Sequence, residues 1–129
     1  MLYFDSSALM KLCRVEPESA ALRHWLAEHP AAWVTSTLAE VELIRATARA
    51  DPPALAYVHR VLAECDRLAI DPRVRTEAAA LGPTELRSLD AIHLATALEF
   101  EAELEALLTY DKRLADAAGS YGLSVYGPS

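Results

Sequence analysis

The chain has 129 residues, of which 53% are hydrophobic and 24% charged, and its formal net charge is −7 at pH 7. This length fits one domain over residues 1–129, and the composition excludes disordered and collagen-like classes. No apolar run approaches the roughly eighteen residues of a membrane span, and cleavage of a signal peptide would remove the first predicted strand, so we expect a cytoplasmic protein with no membrane partner.

Short apolar runs alternate with helical patterns along the first half of the chain. Residues 2–4 form a uniformly apolar run, which is typical of a strand covered on both faces. Ser6 or Ser7 is expected to cap the helix that follows. The predicted elements are, in order, a strand over 2–4, a helix to about 13, a helix over 18–28, a strand over 32–35 and a helix from its cap at Ser36 to about 50.

The second half continues the alternation. Prolines at 52–53 and at 72 favour the first turns of two helices, which end near 67 and 82, and Ser88 is expected to cap a helix to about 100. The other predicted elements are strands over 68–70, 106–110 and 123–126 and a helix over 111–118. This order predicts a three-layer α/β sandwich with a mainly parallel central sheet flanked by helices and a site beyond the carboxyl ends of the strands.

Acidic residues recur where the predicted strands end. Asp5 directly follows the strand at 2–4, Asp111 follows the strand at 106–110, and Asp90 lies in the first turn of a helix on a mostly apolar face. Because parallel strands end at one edge of a sheet, Asp5 and Asp111 should lie close together. Clustered carboxylates repel one another unless they share a cation. The pattern therefore predicts a site for Mg²⁺ or Mn²⁺, which prefer oxygen ligands.

Each of these acids also has an ordinary alternative role. Asp5 or Asp90 alone can cap a helix or favour its N-terminus. Glu40 and Glu42 lie two residues apart on one predicted helix and project about 200° apart, so only one of them can face the site. The helical pattern does not choose between them. His93 follows Asp90 by three residues, and we expect it to pack or to support ligands because an oxygen-rich site needs no histidine.

Four segments together resemble the PIN-domain ribonucleases of the VapC toxin type. They stand in the family's order and span nearly the whole chain. In one-letter code they are YFDSSA at 3–8, TSTLAEVELIRA at 35–46, RSLDAIHLA at 87–95 and LTYDKRL at 108–114.

The resemblance implies a PIN-like fold and a Mg²⁺- or Mn²⁺-dependent endoribonuclease that hydrolyses RNA. It also implies a cognate VapB-like antitoxin whose basic side chain can enter the acidic pocket, and we expect a homodimer. The family pattern selects Glu42 over Glu40, and Asp116 is a further candidate acid outside the main set. The catalytic and metal-binding quartet that the resemblance implies is Asp5, Glu42, Asp90 and Asp111.

Several polar residues near the quartet are candidates for supporting roles. Ser7 and Thr109 carry hydroxyls of the kind that orient ligating carboxylates. Arg45, Lys112 and Arg113 can contact RNA phosphates, although Arg45 can equally pair with Glu42. The helix over 89–100 has two apolar sides, which indicates either a dimer contact or a helix sandwiched in the core.

Two other functions remain open at this point. One is a non-catalytic PIN-like binding module that uses the pocket only for partner contact, although an intact quartet argues against it. The other is a different acidic-pocket phosphohydrolase or a receiver-like phosphoacceptor. A haloacid-dehalogenase-like hydrolase needs a second Asp where Ser7 stands, and a receiver needs an acidic pair at the first strand that is missing here.

Overall fold

The computed structural model describes residues 1–129 and contains five strands and seven helices. In chain order these are β1 (Leu2–Phe4), α1 (Ser6–Cys13), α2 (Ser19–Glu28), β2 (Trp33–Ser36), α3 (Thr37–Ala50), α4 (Leu55–Ala63), β3 (Cys65–Leu68), α5 (Pro72–Ala80), α6 (Ser88–Glu99), β4 (Ala106–Leu108), α7 (Lys112–Ser120) and β5 (Val125–Tyr126). The strands form one sheet in the order β3-β2-β1-β4-β5, and every neighbouring pair is parallel.

Helices cover both faces of the sheet. Successive side chains of a strand point to opposite faces, so Leu2 and Phe4 of β1 pack in one core with α1 to α4, whereas Tyr3 packs in the other with α6 and α7. Burial of a side chain such as Phe4 contributes roughly 1.5–3 kcal/mol to stability. The predicted three-layer α/β sandwich is thus confirmed. None of the helices has both the length and the apolar character needed to cross a membrane.

The central strand β1 positions the site. It pairs with β2 on one side and with β4 on the other, and the strand order reverses between β1 and β4. A crevice forms beyond the carboxyl ends of strands at such a reversal. The backbone N–H of Asp5 donates to the carbonyl of Leu108 at 3.2 Å, which joins the two strand ends at this crevice.

The predicted boundary between the fourth helix and the third strand is wrong. The helix was expected to reach about 67 and the strand to span 68–70, but α4 ends at Ala63 and β3 begins at Cys65. This strand forms an edge of the sheet and exposes Asp66 and Arg67. Charged residues protect an edge strand from pairing with other chains, but they also remove the apolar run that marks a strand in the sequence.

Two predicted caps are also corrected. Asp5, rather than Ser6 or Ser7, caps α1 with its side chain. Arg87 occupies the cap position of α6 without a side-chain cap bond, and Ser88 is the first helical residue. The cap predicted at Ser36 is confirmed, since its hydroxyl accepts a bond from the N–H of Leu38 at 3.0 Å.

Helix α6 is sandwiched in the core. It packs against α5 on one side and against the sheet and α7 on the other, and its middle residues Ala91 and His93 to Ala97 are buried. The side that carries these buried residues therefore belongs to the core, whereas Ile92 and Phe100 on the other apolar side are only partly buried, and a dimer contact there stays a prediction. Leu89 at its start remains 49% exposed.

Candidate active site

Asp5 is buried at the carboxyl end of β1, with only 4% of its surface exposed. Its Oδ1 accepts hydrogen bonds from the N–H of Ala8 at 2.9 Å and from the hydroxyl of Ser7 at 2.7 Å. Its Oδ2 accepts a bond from the hydroxyl of Thr109 at 2.6 Å. Burial raises the pKa of the Asp5 carboxyl, and the bond from Thr109 opposes this rise more than any other contact.

Thr109 connects Asp5 to Asp111. While its hydroxyl donates to Asp5, its Oγ1 accepts a bond from the backbone N–H of Asp111 at 3.0 Å. Asp111 caps α7, because its Oδ1 accepts from the N–H of Leu114 at 3.0 Å. Ser7 also connects the two strand ends, because its hydroxyl oxygen accepts a hydrogen bond from the backbone N–H of Tyr110 at 2.8 Å. The expected proximity of the two strand ends is thus observed.

Arg87 pairs with two acids of the predicted quartet. Its Nε lies 3.2 Å from Oδ2 of Asp90, and its Nη2 lies 3.0 Å from Oδ2 of Asp111. The side chain of Asp90 is 13% exposed in the first turn of α6, whereas that of Arg87 is 63% exposed. The carboxylates of Asp90 and Asp111 raise the pKa of Arg87 above its ordinary, already high value. One guanidinium group therefore serves as the shared cation of Asp90 and Asp111.

Glu42 reaches the site from α3. Its Oε1 accepts a bond from the hydroxyl of Ser6 and another from Nε2 of His93 at 2.7 Å. Partial burial raises the pKa of Glu42, but the bonds from His93 and Ser6 together outweigh burial and leave the pKa below its ordinary value. Glu40 lies elsewhere and pairs with Arg67 at 2.9 Å. The structure thus brings Glu42, and not Glu40, to the quartet.

A buried tyrosine lies behind His93. The hydroxyl of Tyr3 is 2.7 Å from Nδ1 of His93, and both side chains are almost completely buried. Burial raises the pKa of Tyr3 well above its ordinary value, so the phenol keeps its proton. Both ring nitrogens of His93 are therefore engaged by protein groups, which agrees with the expectation that this histidine supports ligands rather than binding metal.

The predicted basic residues surround the acids. Arg45 is exposed one helical turn beyond Glu42 and forms no ion pair with it. Lys112 and Arg113 are exposed at the start of α7 and, with Arg87 and Asp111, line a cavity of about 380 Å³.

A second cavity lies beside Glu42. It has a volume of about 590 Å³ between α1 and α3, and its walls include Arg45, Val41 and Leu89. Asp116 is exposed on α7 and lines two cavities, one of about 650 Å³ together with Arg113 and one of about 370 Å³ together with Asp111 and Thr109. It forms no hydrogen bond or ion pair with the quartet.

The chemistry of the donor set fits a hard divalent cation. Four carboxylates from different elements stand at one edge of the sheet, and buried Asp5 has a raised pKa and forms no salt bridge with Lys or Arg. In this arrangement no three Asp, Glu, His or Cys side chains come close enough to share one ion. Binding by three of the acids therefore requires side-chain movement, and Arg87 would release at least one of its partners.

Sequence reasoning missed three contributors to the site. Arg87 stands three residues before Asp90 in the order Arg-x-x-Asp, a helical spacing that can signal an ion pair. Ser6 was considered only as a cap, although it bonds Glu42. Tyr3 lies in an apolar strand, and nothing in the sequence indicates that its hydroxyl meets His93 across 90 residues.

Comparisons with known proteins identify relatives that match along nearly the whole chain. The family model of the PIN domain matches residues 2–120. The chain is 50% identical to Ribonuclease VapC35 of Mycobacterium tuberculosis, covering 99% of this chain and 97% of that protein. It is 47% identical to Ribonuclease VapC46 of the same species, covering 99% and 98%. Among solved structures, a toxin-antitoxin complex from Klebsiella pneumoniae contains a chain with the same fold, at a TM-score of 0.76 and 23% identity, covering 100% of this chain and 98% of that one.

Proposed function

The chain belongs to the PIN-domain family and, within it, to the VapC ribonucleases, and from this premise we propose that it is a Mg²⁺- or Mn²⁺-dependent endoribonuclease that acts as a toxin. The observation that carries the proposal is a network of polar contacts that links three of the acids, with Glu42 bonded to the residue next to Asp5 in the chain. Arg87 joins Asp90 to Asp111. Thr109 joins Asp111 to Asp5, and Ser6, the next residue in the chain, bonds Glu42.

Each acid has a proposed role in phosphodiester hydrolysis. Asp5, Glu42 and Asp90 are the principal ligands, and Asp111 completes the site or orients the attacking water. A bound divalent ion would activate that water and neutralise charge on the phosphate. Ser7 and Thr109 hold the carboxylate of Asp5 in place from its two oxygens.

Basic residues around the acids are proposed to bind the RNA backbone. Arg45, Lys112 and Arg113 are exposed on two sides of the quartet, so they can contact phosphates on both sides of a scissile bond. Such contacts position RNA without reading its sequence.

The test of the catalytic proposal is metal-dependent cleavage. Purified protein incubated with RNA should produce cleavage products in Mg²⁺ or Mn²⁺ and none in excess chelator. Restoration of cleavage when metal is added back excludes irreversible damage by the chelator. Cleavage that continues undiminished in chelator would overturn the metal-dependent mechanism, and absence of cleavage in either metal would favour the non-catalytic binding module.

We further propose a VapB-like antitoxin as partner and a homodimer as the assembled toxin. The solved neighbour from Klebsiella pneumoniae is a toxin-antitoxin complex, which supports the partner. Arg87 already bridges two acids within this chain, so a guanidinium group from another chain can pair with the same kind of pocket. Co-purification with the product of the adjacent gene tests the partner, and sedimentation tests the dimer. A monomeric protein that does not co-purify with the product of the adjacent gene would contradict the toxin proposal and leave the nuclease proposal intact.

A further inference from the structure

Three side chains form a buried relay behind the acidic site, which we call the Tyr3–His93–Glu42 relay. Tyr3 lies on β1, His93 on α6 and Glu42 on α3, so the relay joins three elements of the fold. Its two contacts are both 2.7 Å long, from the Tyr3 hydroxyl to Nδ1 of His93 and from Nε2 of His93 to Oε1 of Glu42. His93 is 2% exposed and Tyr3 is fully buried, so water does not compete for the bond between them, whereas the side chain of Glu42 is 26% exposed.

Of the two neutral tautomers of His93, only one satisfies the donors and acceptors of the relay. A carboxylate only accepts hydrogen bonds, so Nε2 must carry the hydrogen that is donated to Glu42. Nδ1 of that tautomer is an acceptor, and the hydroxyl of Tyr3 is placed to donate to it. The same logic applies in metal sites, where the bond at one ring nitrogen fixes the role of the other.

The relay also distinguishes the two oxygens of Glu42. Oε1 receives both His93 and the hydroxyl of Ser6, whereas no protein donor bonds Oε2. We propose that His93, held in one tautomer by Tyr3, is a positioning residue that fixes Glu42 through Oε1 and leaves Oε2 available to the catalytic cation. This inference rests on the proposed metal-dependent function and assigns a task in it to two residues that touch neither metal nor RNA.

A purely structural role predicts different behaviour on substitution. If the relay only packed the core, an apolar side chain of similar volume would serve as well as the imidazole. If it orients Glu42, a side chain that restores an N–H donor at the position of Nε2 should restore function. Glutamine can place its amide nitrogen near the position of Nε2, whereas leucine offers volume without a donor.

The experiment compares His93→Leu, His93→Gln and Tyr3→Phe, with Tyr121→Phe as the matched control. The hydroxyl of Tyr121 accepts a bond from the N–H of Gly82 outside the site. Mn²⁺ affinity is measured by titration monitored with electron paramagnetic resonance, alongside RNA cleavage and the melting temperature. We expect His93→Leu to weaken Mn²⁺ binding and cleavage about ten- to hundredfold. His93→Gln should recover most of that loss, and Tyr121→Phe should match the wild type.

Tyr3→Phe gives a second test with less disturbance of packing, because it removes only the hydroxyl. Nitrogen-15 spectra of labelled histidine should show the hydrogen of His93 on Nε2 in the wild type and a mixture of tautomers in Tyr3→Phe. Mn²⁺ binding should weaken about tenfold in that variant. A wild-type His93 with a hydrogen on Nδ1, either alone or together with one on Nε2, would overturn the relay, and so would Mn²⁺ affinity unchanged in Tyr3→Phe.

The variant Glu42→Gln separates failure of the relay from failure of the proposed function. If Glu42→Gln loses cleavage while His93→Leu and Tyr3→Phe cleave and bind Mn²⁺ like the wild type, only the relay is wrong. If Glu42→Gln itself cleaves normally, the proposed site is wrong. If His93→Leu does not fold, Tyr3→Phe decides the question.

Discussion

The hydroxyl of Thr109 donates a 2.6 Å hydrogen bond to the carboxylate of Asp5, across 104 positions of the chain. The same oxygen accepts from the N–H of Asp111, so one side chain connects the two strand ends of the site. Thr109→Val keeps the shape and removes both bonds. We expect it to lower the free energy of unfolding by about 1–3 kcal/mol, because buried polar groups lose their partners.

Urea unfolding measures this change, and Thr76→Val provides the control. The Thr76 hydroxyl bonds the carbonyl of Pro72 on an exposed helix, so its removal should cost far less. Thr109→Val should also reduce cleavage because Asp5 is less well held. An equal stability loss in both variants would contradict the special position of Thr109.

Neutralising Asp90 tests the catalytic role of the quartet. Asp90→Asn should retain the fold and reduce RNA cleavage at least about a hundredfold, because a carboxylate that binds or orients the cation is lost. Asp71→Asn is the matched control, since Asp71 caps α5 by accepting from Val74 at 2.8 Å far from the quartet. Gel assays of both purified variants at equal concentration check the prediction. Full cleavage by Asp90→Asn would remove it from the site.

Metal-free stability should depend on pH through Asp5. Burial raises the pKa of its carboxyl above the ordinary value of 3.8. The folded chain therefore binds this proton more tightly than the unfolded chain. The resulting stabilisation is fully present below the unfolded pKa and is lost as the pH rises through the folded pKa. Asp5→Asn should remove that loss and raise the melting temperature by a few degrees at pH 7 in chelator.

Thermal scans across the acid-to-neutral range in chelator check this prediction. Asp90→Asn is less informative for this test, because Arg87 already compensates the charge of Asp90. Asp71→Asn should show no comparable gain, since its carboxylate is exposed. A melting temperature of Asp5→Asn below that of the wild type at pH 7 would indicate that its hydrogen bonds outweigh its buried charge.

The two glutamates of α3 should differ sharply on substitution. Glu42→Gln should abolish cleavage, because the carboxylate that Ser6 and His93 hold is lost. Glu40→Gln should leave cleavage within a few fold, since Glu40 lies in a surface pair with Arg67. Initial rates at saturating Mg²⁺ distinguish the two. An inactive Glu40→Gln would mean that the proposed cation site lies on the other side of α3.

The fold can be predicted well from the sequence. Strands covered by helices on both faces appear as continuous apolar runs, and helices that pack on the sheet repeat apolar residues with the helical period. Asp5 and Asp111 are predictable as neighbours for the same reason, since both follow strands that pair in parallel. The strand at Cys65–Leu68 is less visible because it is an edge strand with two exposed charges. The contact of Tyr3 with His93 depends on how α6 packs on β1. Local sequence patterns do not predict this packing, so they do not predict the contact.

Arg87 should compete with the divalent cation for Asp90 and Asp111. Its guanidinium pairs with both carboxylates, so a cation that binds them must displace or share those contacts. We therefore expect Arg87→Gln to bind Mn²⁺ a few fold more tightly than the wild type and to show a larger rise in melting temperature on addition of metal. The effect should be modest because the Arg87 side chain is 63% exposed and its ion pairs are screened by solvent.

Arg73→Gln is the matched control for this last prediction. Arg73 is also exposed and also pairs with two acids, Glu77 and Glu99, but it lies on α5 away from the quartet. Its substitution should leave Mn²⁺ affinity unchanged. Raised ionic strength should reduce the difference between Arg87→Gln and the wild type, because salt screens exposed charges. Weaker Mn²⁺ binding by Arg87→Gln would reverse the interpretation, since it would show that Arg87 holds Asp90 and Asp111 in place for the cation rather than competing with it.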